Sequence, residues 1–445
     1  MATQDQKRKF PLCFAHKIMD AFPQSHFSGS TMNVSKTVQS KKIKIQRTSL
    51  LAVASFALIS VFIFLLTSPL HSQRPRHSMS SRFQTELDAI RAQYSIPGMT
   101  ASFVLPDGRA ESFASGLSDK ELKTPMISTS RMLAASVGKS FIAAEAVALD
   151  GERILKLDDP VSNWLGDRGW FSRLPNHGTM TIRHLLTHSS GLPDHVHMPA
   201  FASAYSRRWS ETENPFPPES LIEFILDQPP LFPAGEGWAY SDTGYIVLGL
   251  IIEKASRRGV FDEISRRFLS PFGLTATEPS NRKELRGLVS GYVSVKNPLG
   301  FLEKTTVSPG VLAWNPSIEW TGGGFISNSR DLAMWAKTLY EGRAMRGQYM
   351  SELLRSVPVD RDEGVSYGAG VAIYERGPLG TTYGHGGWIP GYCTSMRYFR
   401  DHRTALAFQI NTDIGIIGGE KPVMDEIELR LARIVIVSNV RRDHP

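Results

Sequence analysis

Apolar residues recur at helical spacing over 83–94, where Phe83, Leu87, Ile90 and Tyr94 fall on one face. That period predicts an amphipathic helix. Pro97-Gly98 stops it, 99–105 reads as a strand, Pro106-Asp107-Gly108 turns the chain, and 110–114 returns as a second strand. Near the other end, 368–374, 391–399 and 404–411 carry three more strand patterns, and a helix over 424–434 closes the chain. The middle is mostly helical: an Ala-rich stretch at 140–148, a helix opening at 181–187, and further helices over 220–226, 245–254 and 330–339. Strands at both ends around a helical middle predict an α/β protein of the α+β type. Its antiparallel sheet is formed by both chain ends and flanked by helices, with an inserted helical subdomain.

One segment fits no soluble pattern. Residues 48–70 contain no charge, and 50–66 are almost wholly apolar. A helix of about 20 such residues crosses the ~30 Å core of a bilayer. Nine Lys/Arg precede this run, whereas only Arg74, Arg76 and Arg82 follow it closely. This bias places the N-terminus in the cytoplasm and the bulk of the chain outside. The run is longer than the apolar part of a signal peptide, and no A-x-A cleavage sequence follows. The expected organisation is a basic cytoplasmic tail (1–47), a single transmembrane anchor (48–70), a linker (71–82) and a folded periplasmic or extracellular domain (83–445).

Charge must be read with that division in mind. The 445 residues carry a formal charge of +7, which by itself suggests a nucleic-acid partner. Residues 1–82 hold 12 Lys/Arg against 2 Asp/Glu, and the rest holds 38 against 41. The basicity belongs to the tail, so the folded part has no electrostatic case for nucleic acid. A composition of 41% hydrophobic and 21% charged residues is that of a globular protein. Cys13 and Cys393 are the only cysteines; the topology separates them, which excludes a disulfide scaffold and a Cys-based metal cluster.

Three short elements carry candidate chemistry. In Ser136-Val137-Gly138-Lys139 the i, i+3 spacing puts Lys139 beside the Ser136 hydroxyl at the start of the Ala-rich helix. A serine needs such a neighbouring base to become a nucleophile, and free N–H groups at a helix start suit developing negative charge. In Tyr240-Ser241-Asp242, a phenol near a lysine ammonium would be biased towards phenolate and could shuttle a proton. In His385-Gly386-Gly387-Trp388, the glycines would let a strand backbone approach a substrate, and Trp388 could offer its N–H to an oxyanion.

In this order the three elements make the chain similar to the penicillin-recognising serine hydrolases. These comprise class C β-lactamases, serine D-alanyl-D-alanine carboxypeptidases, and related esterases and D-amino-acid amidases, which share S-x-x-K, Y-x-N and K/H-x-G. Supporting text lies in 181–192 (Thr181 to Leu192), Asp158-Asp159-Pro160-Val161 and Gly322-Gly323-Gly324-Phe325-Ile326-Ser327. The resemblance runs from about 83 to about 434. It implies Ser136 as acylated nucleophile, Lys139 as the holder of its proton network and Tyr240 as general base. It further implies an oxyanion hole from the Ser136 and Trp388 N–H groups, His385 orienting substrate or assisting Tyr240, and Asp242, Gly386 and Gly387 contacting substrate. No metal or organic cofactor is implied, and the partner is a small-molecule or cell-envelope substrate.

Asp242 departs from the pattern, which has Asn. An ionised Asp only accepts hydrogen bonds, so a penicillin or peptidyl-D-alanine side chain would lose a donor and meet an anion. Esters or cation-bearing substrates are therefore expected over β-lactams. Two rivals remain: a zinc hydrolase using His184 and His188 at i, i+4, with Asp194, His195 and His197 following closely but without the H-E-x-x-H glutamate, and a sensor that acylates without turnover.

Overall fold

Strands from both ends of the chain meet in the middle of one sheet. The computed structural model describes residues 78–208, 216–293, 302–361, 363–413 and 423–443. Among them the main sheet has nine strands: β1 (Gly98–Val104), β2 (Ala110–Asp119), β3 (Thr124–Pro125), β4 (Val357–Asp360), β5 (Val365–Tyr367), β6 (Ala372–Tyr374), β7 (Thr382–Ile389), β8 (Tyr392–Phe399) and β9 (Thr404–Ile410). Their spatial order is β3-β2-β1-β9-β8-β7-β6-β5-β4. β1 runs antiparallel to β9, with Met99 opposite Ile410 and Phe103 opposite Leu406.

The helices that matter for the site and core are α1 (Met79–Gln93), α2 (Lys139–Gly151), α3 (Ile182–Leu186), α4 (Asp242–Ser256), α5 (Ser329–Tyr340) and α6 (Val423–Asp443). On one sheet face, Phe83, Leu87 and Ile90 of α1 and Ile427, Leu431 and Val435 of α6 pack with Phe103, Phe408 and Ile410. A larger core joins α2, α4 and α5 to Ala405, Ala407 and Met396. There Phe141 of α2 stacks on Trp335 of α5 at 4.5 Å between ring centroids. The Trp335 Nε1–H donates to Ser140 Oγ at 2.9 Å, so the indole is buried without an orphaned donor.

Three expectations need correction. α1 begins at Met79, which is itself buried, so the end of the 71–82 linker is helix. The stretch 368–374 is not one strand: Gly370 turns with φ +65° where a Cβ would stand 2.6 Å from the Ala143 Cβ, and only Ala372–Tyr374 pairs. α6 runs on to Asp443. Among the described residues no helix is long and apolar enough to cross a membrane; the apolar run 48–70 lies outside them.

Candidate active site

A strained turn presents Ser136. Residues Ala135–Gly138 form one 3₁₀ turn leading into α2, and Ala135 adopts φ +48°. A non-glycine residue in that region costs on the order of 1–3 kcal/mol, which the surrounding packing must offset. Ser136 keeps partial exposure while Val137, Gly138, Lys139 and Ser140 are buried. The Lys139 side chain is 0% exposed, and its Nζ stands 3.4 Å from Ser136 Oγ. Two further acceptors hold it: the Asp242 carboxylate and the Gly322 carbonyl. The turn that delivers that carbonyl contains Trp320 at φ +34°, ψ −119°.

The second element enters at the start of α4. Ser241 caps the helix, its Oγ accepting from the Gly244 N–H at 3.2 Å, and Asp242 occupies the first turn, where a carboxylate is favoured by the helix dipole. The Asp242 N–H donates to Oδ2 of the buried Asp194 at 2.9 Å. Tyr240, just outside the helix, is buried with its phenol close to the Ser136 side chain. The Lys139 Nζ lies 4.8 Å from the centre of the Tyr240 ring.

β7 supplies the third element. A Cβ on Gly387 would come within 2.3 Å of the Ala134 carbonyl oxygen and 3.3 Å of the Ser136 nitrogen. Only glycine lets the strand pass this close to the Ser136 turn, and the next residue along it is Trp388. Gly386 is open by comparison, its nearest neighbour being the Thr394 oxygen at 4.0 Å. β7 pairs with β8 along its whole length, whereas its pairing with β6 ends at Gly384. The 385–389 stretch is therefore unpaired by β6 on its other edge.

The electrostatics correct two expectations. Burial, reinforced by the Asp242 carboxylate, pushes the Tyr240 phenol well above its ordinary range, so it is neutral at rest rather than biased towards phenolate. Lys139 does not reverse this because its contacts go to Asp242 and Gly322. His385 is also placed differently. Its Nδ1 faces the Gly386 carbonyl, its Nε2 accepts from the Tyr367 hydroxyl at 2.8 Å, and its ring centroid is 6.3 Å from that of Tyr240. Burial and the nearby Lys139 charge pull its pKa down to about 3. It is a neutral ring bonded to Tyr367.

Sequence reasoning missed Glu319 and met Asp194 only as a neighbour of the His184 and His188 pair; burial and Asp242 raise both carboxyls above the ordinary range. Neither sits in a motif, so no local signal points to them. The Gly322 carbonyl was within reach, because the Gly-Gly-Gly run was already conspicuous. His184 and His188 share no site: His184 Nδ1 accepts from the Thr181 N–H and His188 Nδ1 from the Ser241 N–H.

All three converging segments lie within the stretch that a family model matches. The β-lactamase family model covers residues 83–416, and the chain belongs to that family. It is 28% identical to penicillin-binding protein 4* of Bacillus subtilis over 306 residues, covering 67% of this chain and 64% of that protein. It is 26% identical to a D-aminopeptidase of Brucella anthropi over 332 residues, covering 73% and 58%. The chain thus spans about three fifths of the length of these curated relatives. A crystal structure of a D-stereospecific amidohydrolase from Streptomyces superimposes with a TM-score of 0.66 at 26% identity, covering 79% of this chain and 98% of that one.

The depressed pKa of His385 makes a stability prediction. Unfolded, the imidazole takes up a proton near 6.5; folded, only near 3. The unfolded state therefore binds more protons in between, and the ring's contribution is full above about pH 6.5 and lost as pH falls. Urea unfolding at about pH 7 and about pH 4.5 should show a smaller acid loss in His385→Gln than in wild type. Equal losses would contradict the assignment of a neutral, buried ring.

Proposed function

We propose that this chain is a serine hydrolase that cleaves an ester or amide of the D-alanyl type through an acyl-enzyme on Ser136. The observation that carries this reading is the Ser136 hydroxyl lying within reach of both Lys139 Nζ and the Tyr240 phenol, on a turn packed against Gly387. As Ser136 Oγ bonds to the substrate carbonyl carbon, its proton moves to the Tyr240 oxygen and the phenolic proton moves in the same step to the substrate oxygen or nitrogen that will leave. That protonated group departs as its bond to the carbonyl carbon breaks, leaving the acyl group on Ser136 and Tyr240 neutral again. Water then repeats the exchange in reverse, giving a proton to Tyr240 as Tyr240 returns one to Ser136. A phenol that is neutral at rest suits such a relay, because it gains one proton as it gives another. The N–H groups of Ser136 and Trp388 receive the oxyanion; donors of this kind each contribute about 10²–10³ in rate. Lys139 holds the proton network, and His385 fixes β7 through Tyr367.

Substrate preference follows from the charge on the carboxyl groups. The Asp242 carboxylate stands beside Lys139 and Tyr240, whereas Glu319, pushed up by burial, is neutral; the Asp242 charge opposes the carboxylate of a penicillin and suits a substrate with a free ammonium group or an uncharged ester. The names of the D-aminopeptidase and D-stereospecific amidohydrolase relatives support the same class. We also propose that residues 48–70 anchor the chain in a membrane with its catalytic part outside, on the strength of the apolar run and the flanking charge bias.

A substrate panel tests the chemistry: D-alanine p-nitroanilide, a short-chain p-nitrophenyl ester and a chromogenic cephalosporin. The first two should turn over with kcat/KM at least about tenfold above the cephalosporin, and Ser136→Ala should lose at least about 10³ on all. Asp242→Asn should narrow the cephalosporin gap by about tenfold, the worth of one restored hydrogen bond. Full activity in Ser136→Ala would overturn the reading, and a stoichiometric adduct without release would favour a sensor. For the anchor, the full chain should resist carbonate extraction from membranes, and deletion of 48–70 should release it; extraction of the full chain would contradict the anchor.

A further inference from the structure

His188 lies outside the three motif elements, yet it contacts one of them from two sides. It stands two residues beyond the end of α3 with φ +56°, the left-handed conformation common just past a helix end. That conformation turns both its backbone and its ring towards the segment carrying Tyr240. The His188 carbonyl accepts from the Ala239 N–H at 3.0 Å, and its Nδ1 accepts from the Ser241 N–H at 3.2 Å. The residues immediately before and after Tyr240 are thus bonded to a single side chain and its own carbonyl. Between these bonds the imidazole lies against the Tyr240 ring, with centroids 4.1 Å apart and planes tilted by 38°. Tyr245 and Tyr367 close the rest of the cage at 5.1 and 4.8 Å.

We infer that His188 is a positioning residue that clamps the Ala239–Ser241 segment and so aims the Tyr240 phenol at Ser136. The inference rests on the relay role proposed for Tyr240. Packing alone does not account for a histidine here. An Nδ1 that accepts must be unprotonated, so the proton sits on Nε2, and Nε2 is buried without a hydrogen-bond partner. An orphaned buried donor costs about 1–3 kcal/mol. A phenylalanine would fill the space without that cost but could not accept from Ser241. Burial and the charge on Lys139 hold the ring well below its usual pKa, which keeps the Nδ1 lone pair available.

Two variants separate the clamp from backbone strain. His188→Gly tolerates the positive φ but removes ring and acceptor. His188→Asn also tolerates it and places an amide oxygen near the position of Nδ1. With D-alanine p-nitroanilide as probe, kcat should fall about 100-fold in His188→Gly, the scale of a misplacement near 1 Å. It should fall only about tenfold in His188→Asn, and KM should stay within about threefold in both. A kcat within threefold of wild type in His188→Gly, a loss confined to KM, or equal impairment of the two variants overturns the proposal. Should His188→Gly fail to fold, an unchanged kcat in His188→Asn overturns it alone. If Ser136→Ala kept activity on the same probe, the hydrolase reading would fail independently of His188.

Discussion

The whole site is organised by one buried cation. The Lys139 side chain is fully excluded from solvent, and a charge so placed is tolerated only when paired and hydrogen-bonded. Its partners come from one near and two distant parts of the chain: Ser136 one turn away, Asp242 at the start of α4, and the Gly322 carbonyl from a strained turn. Satisfying this ammonium brings α2, α4 and the glycine-rich turn together. The same contacts set Ser136 beside Tyr240. Removing one partner of such a pair leaves an uncompensated charge, which is why mutation here is expected to cost more than the net worth of the pair.

Around that cation the protein keeps most other titratable groups neutral. His188, His195 and His385 are all pulled down, chiefly by burial. Asp194 and Glu319 are pushed up by burial and by the Asp242 charge. The result is a site in which the Lys139–Asp242 pair carries the charge and the Tyr240 phenol beside it is neutral. Where relatives of the Y-x-N pattern have an amide, the carboxylate of Asp242 completes that pairing at the expense of a donor for the substrate.

Much of this was legible in the sequence, and the reasons for success and failure are local. The apolar spacing of Phe83, Leu87 and Ile90 marked a helix because that face is fully buried. The hairpin at Pro106-Asp107-Gly108 was equally plain, since strands of 7 and 10 residues flank it. The strand Val365–Tyr367 was missed and Ala372–Tyr374 was read as starting at 368, because Gly370 bends the chain to approach α2, a tertiary demand with no local period. In the site, Ser136 and Lys139 share a helical turn and could be paired on paper. The behaviour of Tyr240 could not, because its pKa depends on burial and on where the Lys139 ammonium points. Asp194 and Glu319 act only through the fold.

Peptide mapping by mass spectrometry after treatment with a fluorophosphonate tests the central claim most directly. The account requires one adduct per chain, on the peptide containing Ser136, because that hydroxyl lies beside both the Lys139 amine and the Tyr240 phenol. Absence of an adduct, or modification at another serine with Ser136 untouched, would contradict it.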